Sequence, residues 1–309
     1  MTMLITGAGG FLGSSLISHA LGQGEAHAAS LIAVARNPAK VHLLAPQGRS
    51  IRTVPLDLLD PDAVSRLLER EAPTICVHLA WHTDPQTYLD SSLNASWVKA
   101  SLHLGEVLSR VGCRRMVVAG TCGELRALDR IATEKDATQP QTRYAEAKLE
   151  LRKQLELLSK KSSLSFAWAR IFNVYGPREN AERLMPSCIA ALKKGIRFPT
   201  SRGEQKRDYL YVDDVAAALW CLAQSAESGV FNVSSGTPVR VRDVLTTLGE
   251  MLGRADLLGF GERPERAWDP PMLCGDSSRL QSLGWKPQVS LSEGLRRTID
   301  AWAAKPQVY

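Results

Sequence analysis

The tightest constraint on this 309-residue chain sits near its start. Gly7, Gly10 and Gly13 stand three apart, with a further glycine at position 9. They lie between the apolar run Met3-Leu4-Ile5-Thr6 and a helical pattern over 11–21. Residues without a Cβ permit a tight turn and a close approach of backbone to a ligand. The helix start that follows offers free amides and the positive end of a dipole. Glycines alone say little, because turns are rich in them. The order strand, glycine loop, helix, second strand is the setting in which they predict a bound dinucleotide pyrophosphate.

The rest of the first half keeps that rhythm. Strands are expected over 31–35, 50–56, 74–80, 115–120 and 165–171, and helices over 61–70, 93–111 and 144–160. Continuously apolar strands separated by helices predict an α/β fold, a doubly wound parallel sheet of the Rossmann type. It is expected to occupy residues 1–176 and to receive 209–236 as well, with 177–309 forming mainly a smaller C-terminal substrate-binding lobe. In that lobe helices are expected over 186–195 and 212–224, a basic turn over 201–207, and loop throughout 259–271.

Composition excludes several classes. With 44% hydrophobic and 23% charged residues the chain can bury a core. The net charge of +6 is spread among acidic residues and forms no basic stripe, which argues against nucleic acid as a partner. The six cysteines show no Cys-x-x-Cys pair and no cluster at metal spacing, so neither a metal site nor a disulfide framework is expected. No apolar run approaches a membrane span, and Met1–Thr6 lacks the features of a secretory signal. A cytoplasmic protein with no membrane partner is the expectation.

Two local patterns carry chemistry. The second strand ends on Arg36, followed by Asn37 and Lys40, where an acidic residue would read the free ribose hydroxyl of NAD. A cation suits a 2′-phosphate and predicts NADP; the alternative is that Arg36 stacks on the adenine of NAD. Asp57-Leu58, after the third strand, is placed to meet the adenine. Tyr144 and Lys148, four apart, share one helix face. An ammonium beside a phenol lowers its pKa, so such a couple can move a proton to or from a carbonyl oxygen. By itself the spacing also describes an ordinary exposed helix face.

Here the chain resembles the extended short-chain dehydrogenase/reductases, the nucleotide-sugar epimerases, dehydratases and ketoreductases. The resemblance runs through Thr6-Gly7-Ala8-Gly9-Gly10-Phe11-Leu12-Gly13, Val77-His78-Leu79-Ala80, Tyr144 with Lys148, and Arg170-Ile171-Phe172-Asn173-Val174-Tyr175-Gly176-Pro177. It continues in Arg207-Asp208-Tyr209-Leu210-Tyr211-Val212-Asp213-Asp214-Val215-Ala216 and Phe231-Asn232-Val233-Ser234-Ser235-Gly236. It implies Thr121 as third member of a catalytic set with Tyr144 and Lys148, although a strand-end threonine can also simply satisfy backbone. It implies cofactor contacts from Gly7, Gly10, Phe11, Leu12, Gly13, Leu79, Ala80, Lys148 and Phe172. Asn173 is implied as a sugar-nucleotide contact and Arg207 as the partner of its diphosphate. Arg263 is a second arginine candidate or a solvated loop charge. His82, behind Trp81 in the loop after the fourth strand, is either a substrate contact or an ordinary surface histidine.

The departures narrow the reading. Cys122-Gly123 stands where dehydratases of this family carry Asp-Glu, so the acid/base pair for elimination is missing. Cys122 is expected to pack rather than attack. Leu125-Arg126 replaces the usual Tyr-Gly. The segment Thr121-Cys122-Gly123-Glu124 resembles that of 4-ketoreductases, and with Arg36 it implies NADPH-dependent reduction of a nucleotide-linked 4-keto-6-deoxyhexose. An NAD-dependent nucleotide-sugar 4-epimerase is the alternative, since Tyr and Thr serve both. A dinucleotide sensor without chemistry is a third possibility, against which the Thr, Tyr and Lys together speak. By analogy a homodimer is expected through helices 93–111 and 144–160, on the surplus of Leu149, Leu151, Leu155, Leu157 and Leu158; alternatively the sheet covers them.

Overall fold

The computed structural model describes residues 2–24, 30–42, 51–265 and 269–304. The chain begins with β1 (Met3–Thr6), α1 (Phe11–Gly22), β2 (Leu31–Ala35), α2 (Ala39–His42) and β3 (Arg52–Pro55). It continues through α3 (Pro61–Glu71), β4 (Ile75–His78), α4 (Leu93–Arg110), β5 (Arg115–Thr121), α5 (Arg143–Lys160) and β6 (Ser165–Ile171). Then β7 (Asn173–Tyr175), α6 (Leu184–Lys193), β8 (Phe198–Thr200) and β9 (Lys206–Tyr211) leave the main sheet, and α7 (Val212–Gln224) with β10 (Gly229–Val233) return to it. β11 (Pro238–Arg240), α8 (Val241–Met251), β12 (Leu258–Phe260), β13 (Met272–Leu273), α9 (Ser278–Gln281) and α10 (Leu291–Ala304) follow.

Seven parallel strands form the main sheet in the order β10-β6-β5-β4-β1-β2-β3. This is the doubly wound α/β fold that the strand and helix alternation predicts. Successive side chains of β1 point to opposite faces. Met3 and Ile5 pack toward Leu16 and Ile17 of α1 and Leu219 of α7, while Leu4 packs toward Leu67 of α3, Leu104 of α4 and Leu151 of α5. Only the edge strand β3 breaks the buried pattern, with Arg52 and Pro55 exposed, and an edge is where a sheet tolerates proline. The expected start of that strand, Ser50, lies outside the described residues. Helix starts follow the local chemistry. Asp60 caps α3 through Ala63 N, with Pro61 at its first position, and Thr142 caps α5 through Ala145 N.

The second lobe is built on β9, flanked by β7 and β13 in parallel and β11 in antiparallel. Its core gathers Ile189 and Leu192 of α6, Leu245 and Leu248 of α8 and Leu295 of α10. Two expectations change here. Gly259 and Phe260 are not loop, because they pair with Pro199 and Thr200 as the parallel strands β12 and β8. Lys206 and Arg207 are not in a turn but open β9, opposite Arg240 and Val239. In both cases the backbone partner is distant in sequence, so no local pattern shows it. The surplus of leucines on α5 also shrinks. Leu149, Leu151 and Leu155 are buried within this chain and Leu158 packs against its core, leaving Leu157 exposed. Among the described residues no helix is long and apolar enough to cross a membrane.

The sheet order reverses between β1 and β4, and the crevice at that point receives the turns after both strands. Gly7 has a φ of +70°, and a Cβ there would lie 2.7 Å from Ala80 N. Gly7→Ala is therefore expected to cost about 3 kcal/mol in urea denaturation, from left-handed strain plus overpacking, and to weaken dinucleotide binding in parallel. A wild-type midpoint would contradict the close packing of the two turns.

Candidate active site

The turn after β1 brings Gly10 to the N-cap of α1 with no side chain to bond the helix amides, and the first turn carries no acidic residue. The first amides of a helix have no intrahelical partner, so this end, which lines the cleft, can receive an anion. A Cβ at Gly13 would collide with Gly7 O and stand 2.8 Å from Ala8 Cα. The glycines are thus required for the turn itself as well as for access. Beneath it, Thr6 Oγ1 meets His78 Nδ1 at 2.7 Å, and His78 Nε2 meets Ser101 Oγ at 2.8 Å. Burial pushes His78 down to about 3, so the ring is neutral and stitches β1, β4 and α4 together.

A continuous cleft of about 2290 Å³ runs from the glycine turn across the ends of β4, β5 and β6 to the second lobe. Arg36 stands exposed at the end of β2 on its rim, with Asn37, Asp57 and Leu58 also in the wall. The Lys40 side chain lies outside the described residues. Asp57 Oδ1 accepts from Leu59 N at 3.1 Å, so part of its bonding capacity serves its own turn. An uncapped helix start and glycines packed on backbone fit the pyrophosphate of a dinucleotide, and Arg36 stands on the same rim.

Thr121, Tyr144 and Lys148 come together at the cleft floor. Thr121 ends β5, and its side chain caps the turn Cys122–Glu124 through Gly123 N. Burial raises the Tyr144 phenol above its ordinary value, more than the Thr121 hydroxyl and the Arg183 guanidinium lower it. Lys148 is buried, donates to Ala119 O at 2.9 Å and lies 3.8 Å from the Trp81 ring centroid. Desolvation pulls its ammonium down to about 7, against the field of Glu124. At neutral pH Tyr144 is consequently a neutral phenol, poised to donate rather than to accept a proton.

The remaining expected residues are spread along the same cleft. Leu79, Ala80 and buried Phe172 line it. Asn173 Nδ2 donates to Asp208 O at 3.2 Å. Arg207 is buried and already ion-paired with Asp269 at 2.5 Å, so an anionic ligand would have to share or displace that carboxylate. Exposed Arg263 lies in the wall, its N–H donating to Thr200 O at 3.0 Å. His82 contacts Thr87 Oγ1 at 2.9 Å within the loop after β4. Cys122 is buried with Leu125, Ala132 and Phe172, its thiol pushed up to about 12, which suits packing and not attack.

Several cleft residues escape a reading by motif. Arg183, before α6, stacks over Tyr88 at 4.7 Å and bonds its hydroxyl at 3.3 Å, and Tyr88 packs edge-on to Tyr144 with centroids 5.1 Å apart. Glu179 is buried in the wall with its carboxyl pushed up to about 8 by desolvation. Glu124, outside the cleft lining, lies fully buried against Arg170 at 2.6 Å. Each pairing joins segments roughly 45 to 95 residues apart, and only folding makes such neighbours visible.

A family model described as the NAD dependent epimerase/dehydratase family matches residues 3–234. UDP-glucose 4-epimerase of Mycolicibacterium smegmatis is 26% identical over 317 residues, covering 99% of this chain and 100% of that one. dTDP-glucose 4,6-dehydratase of Shigella flexneri is 24% identical over 341 residues, covering 98% and 93% respectively. Among solved structures, Thermus thermophilus UDP-glucose 4-epimerase in complex with NAD matches with a TM-score of 0.87 at 26% identity, covering 98% of this chain and 99% of that one.

The buried amine has a consequence for stability. A lysine whose folded pKa of about 7 lies below its unfolded value is destabilising at low pH, and the cost fades as pH rises from 7 toward 10. Lys148→Met is expected to raise the melting temperature by roughly 5 °C at pH 6, with a gain that shrinks steadily up to pH 10. A gain independent of pH in calorimetry would contradict the assigned desolvation.

Proposed function

The chain belongs to the NAD dependent epimerase/dehydratase family, and from that premise we propose that it is an NADPH-dependent ketoreductase acting on a nucleotide-linked 4-keto-6-deoxyhexose. The observation that carries this reading is Arg36, exposed on the cleft rim where a carboxylate would select NAD. A cofactor consumed in reductive biosynthesis is commonly NADPH. Gly7, Gly10 and Gly13, the amides of Phe11 and Leu12, and the Leu79-Ala80 backbone would hold the dinucleotide, with Phe172 beside its nicotinamide. When bound, it supplies the hydride.

The chain's own groups handle the proton. Tyr144, neutral before reaction, donates its phenolic proton to the carbonyl oxygen of the sugar. The Thr121 hydroxyl holds that oxygen in line. Lys148, as an ammonium, favours the phenolate left behind until solvent restores its proton. Asn173, His82 and Arg263 contact the sugar nucleotide, and Arg207 takes its diphosphate in exchange for Asp269. Cys122 and Gly123, which cannot shuttle protons, fit a reaction without elimination of water.

A second reading is an NAD-dependent 4-epimerase, favoured by the relatives of that name. Both use Thr121 and Tyr144. The purified protein distinguishes them: tightly retained NAD supports the epimerase, whereas an empty site that takes up NADPH supports the reductase. A panel of nucleotide 4-keto-6-deoxysugars should consume NADPH, and Tyr144→Phe should slow that consumption by about 10²-fold or more. Unchanged turnover would remove Tyr144 from the mechanism. Arg36→Ala should raise the Kd for NADPH about 10- to 100-fold and leave NADH nearly unaffected, as expected for a lost charge-assisted pair. Equal effects on both would overturn the NADPH assignment.

A further inference from the structure

The indole of Trp81 occupies a particular place beside the reacting groups. Its face lies 3.8 Å from Lys148 Nζ, and it packs edge-on to Tyr144 with centroids 6.4 Å apart and planes at 78°. The ring is not free to turn. Its Nε1 donates to Oδ1 of buried Asn94 at 2.9 Å, and Asn94 Nδ2 donates to Tyr88 O at 2.7 Å. Trp97 packs against it from α4 at a centroid distance of 6.1 Å.

Lys148 has no carboxylate in contact among the described residues; its hydrogen-bond partner is the neutral carbonyl of Ala119. The charged and titratable groups facing it are few. Glu124, on the turn after β5, is bonded to Arg170 at 2.6 Å and lies 3.7 Å from Arg152, so two cations draw on its charge. His78 on β4 is neutral, as are Tyr144 on the same helix and Cys122 beyond the end of β5. The Trp168 ring is more distant, at 6.0 Å. A buried ammonium with one carbonyl and only the shared field of Glu124 is poorly compensated, and the aromatic face of Trp81 is the nearest further source of negative potential.

We propose, resting on the hydride-transfer reading of this site, that Trp81 is a positioning residue: its π face keeps Lys148 protonated and directed toward Tyr144. The interaction is strongest with an indole and weaker with a phenyl ring, and it is absent with an aliphatic side chain. Trp81 therefore works through Lys148. Removing it favours the neutral amine, so the ammonium is lost at lower pH and the phenolate loses its support sooner as pH rises.

The test follows Lys148 itself. In the full-length protein labelled with ¹³C at lysine Cε, the Lys148 resonance is identified by its disappearance in Lys148→Met and titrated by NMR without cofactor or substrate. Trp81→Leu is expected to lower its midpoint by about one pH unit, and Trp81→Phe by less than half as much. If Trp81→Leu shows no cooperative melt, the Trp81→Phe shift decides, and a midpoint that stays or rises in it overturns the proposal. In turnover assays the alkaline limb of kcat should move down with the NMR midpoint. A lowered midpoint in a protein that turns over no nucleotide sugar would keep the Trp81–Lys148 pair and discard the reductase reading. Normal turnover with an unmoved midpoint would discard the pair and keep the reading.

Discussion

The architecture around the cleft depends on how closely two turns approach. Gly7, after β1, packs on the backbone of Leu79 and Ala80, after β4, at a separation no Cβ could share. This contact sits where the sheet order reverses, and it sets the height of the α1 amides relative to the ends of β4 and β5. The neutral Thr6–His78–Ser101 chain holds it from below without placing a charge under the start of α1. Shifting either strand by one residue would exchange the side chains packed on one face of the sheet with those packed on the other, so the two buried faces lock the register.

The chemistry above that frame comes from desolvation set against a few compensating contacts. Burial disfavours charge on both Tyr144 and Lys148, and leaves a neutral phenol beside an amine near its midpoint. Such a couple responds strongly to one additional charge or dipole, which makes neighbours such as Trp81 and Glu124 consequential. On the second-lobe side of the cleft Arg207 is paired with Asp269 and Arg183 stacks on Tyr88, so neither stands as a bare cation.

Much of this was legible along the chain. The strands follow from apolar runs, the glycine turn from its setting, and Tyr144 with Lys148 from one helix face, because each depends on neighbours within a few residues. The misreadings share a cause. Gly259 and Phe260 looked like loop, and Lys206 and Arg207 like a turn, because their pairing strands lie tens of residues away. The leucines of α5 looked like a surplus because the packing of α4 and the sheet against them cannot be read from their spacing.

The amino-acid sequence by itself determined the doubly wound sheet and the glycine turn, which rest on periodicity and short-range backbone requirements, and the family, which its motifs carry by resemblance. Only the tertiary structure decided which groups surround Tyr144 and Lys148. The indole over Lys148, the guanidinium on Tyr88, the buried Glu124–Arg170 pair and the carboxylate on Arg207 are all contacts between distant segments. Their electrostatic effect depends on burial and on ångström-scale distance, and neither quantity exists until the chain has folded.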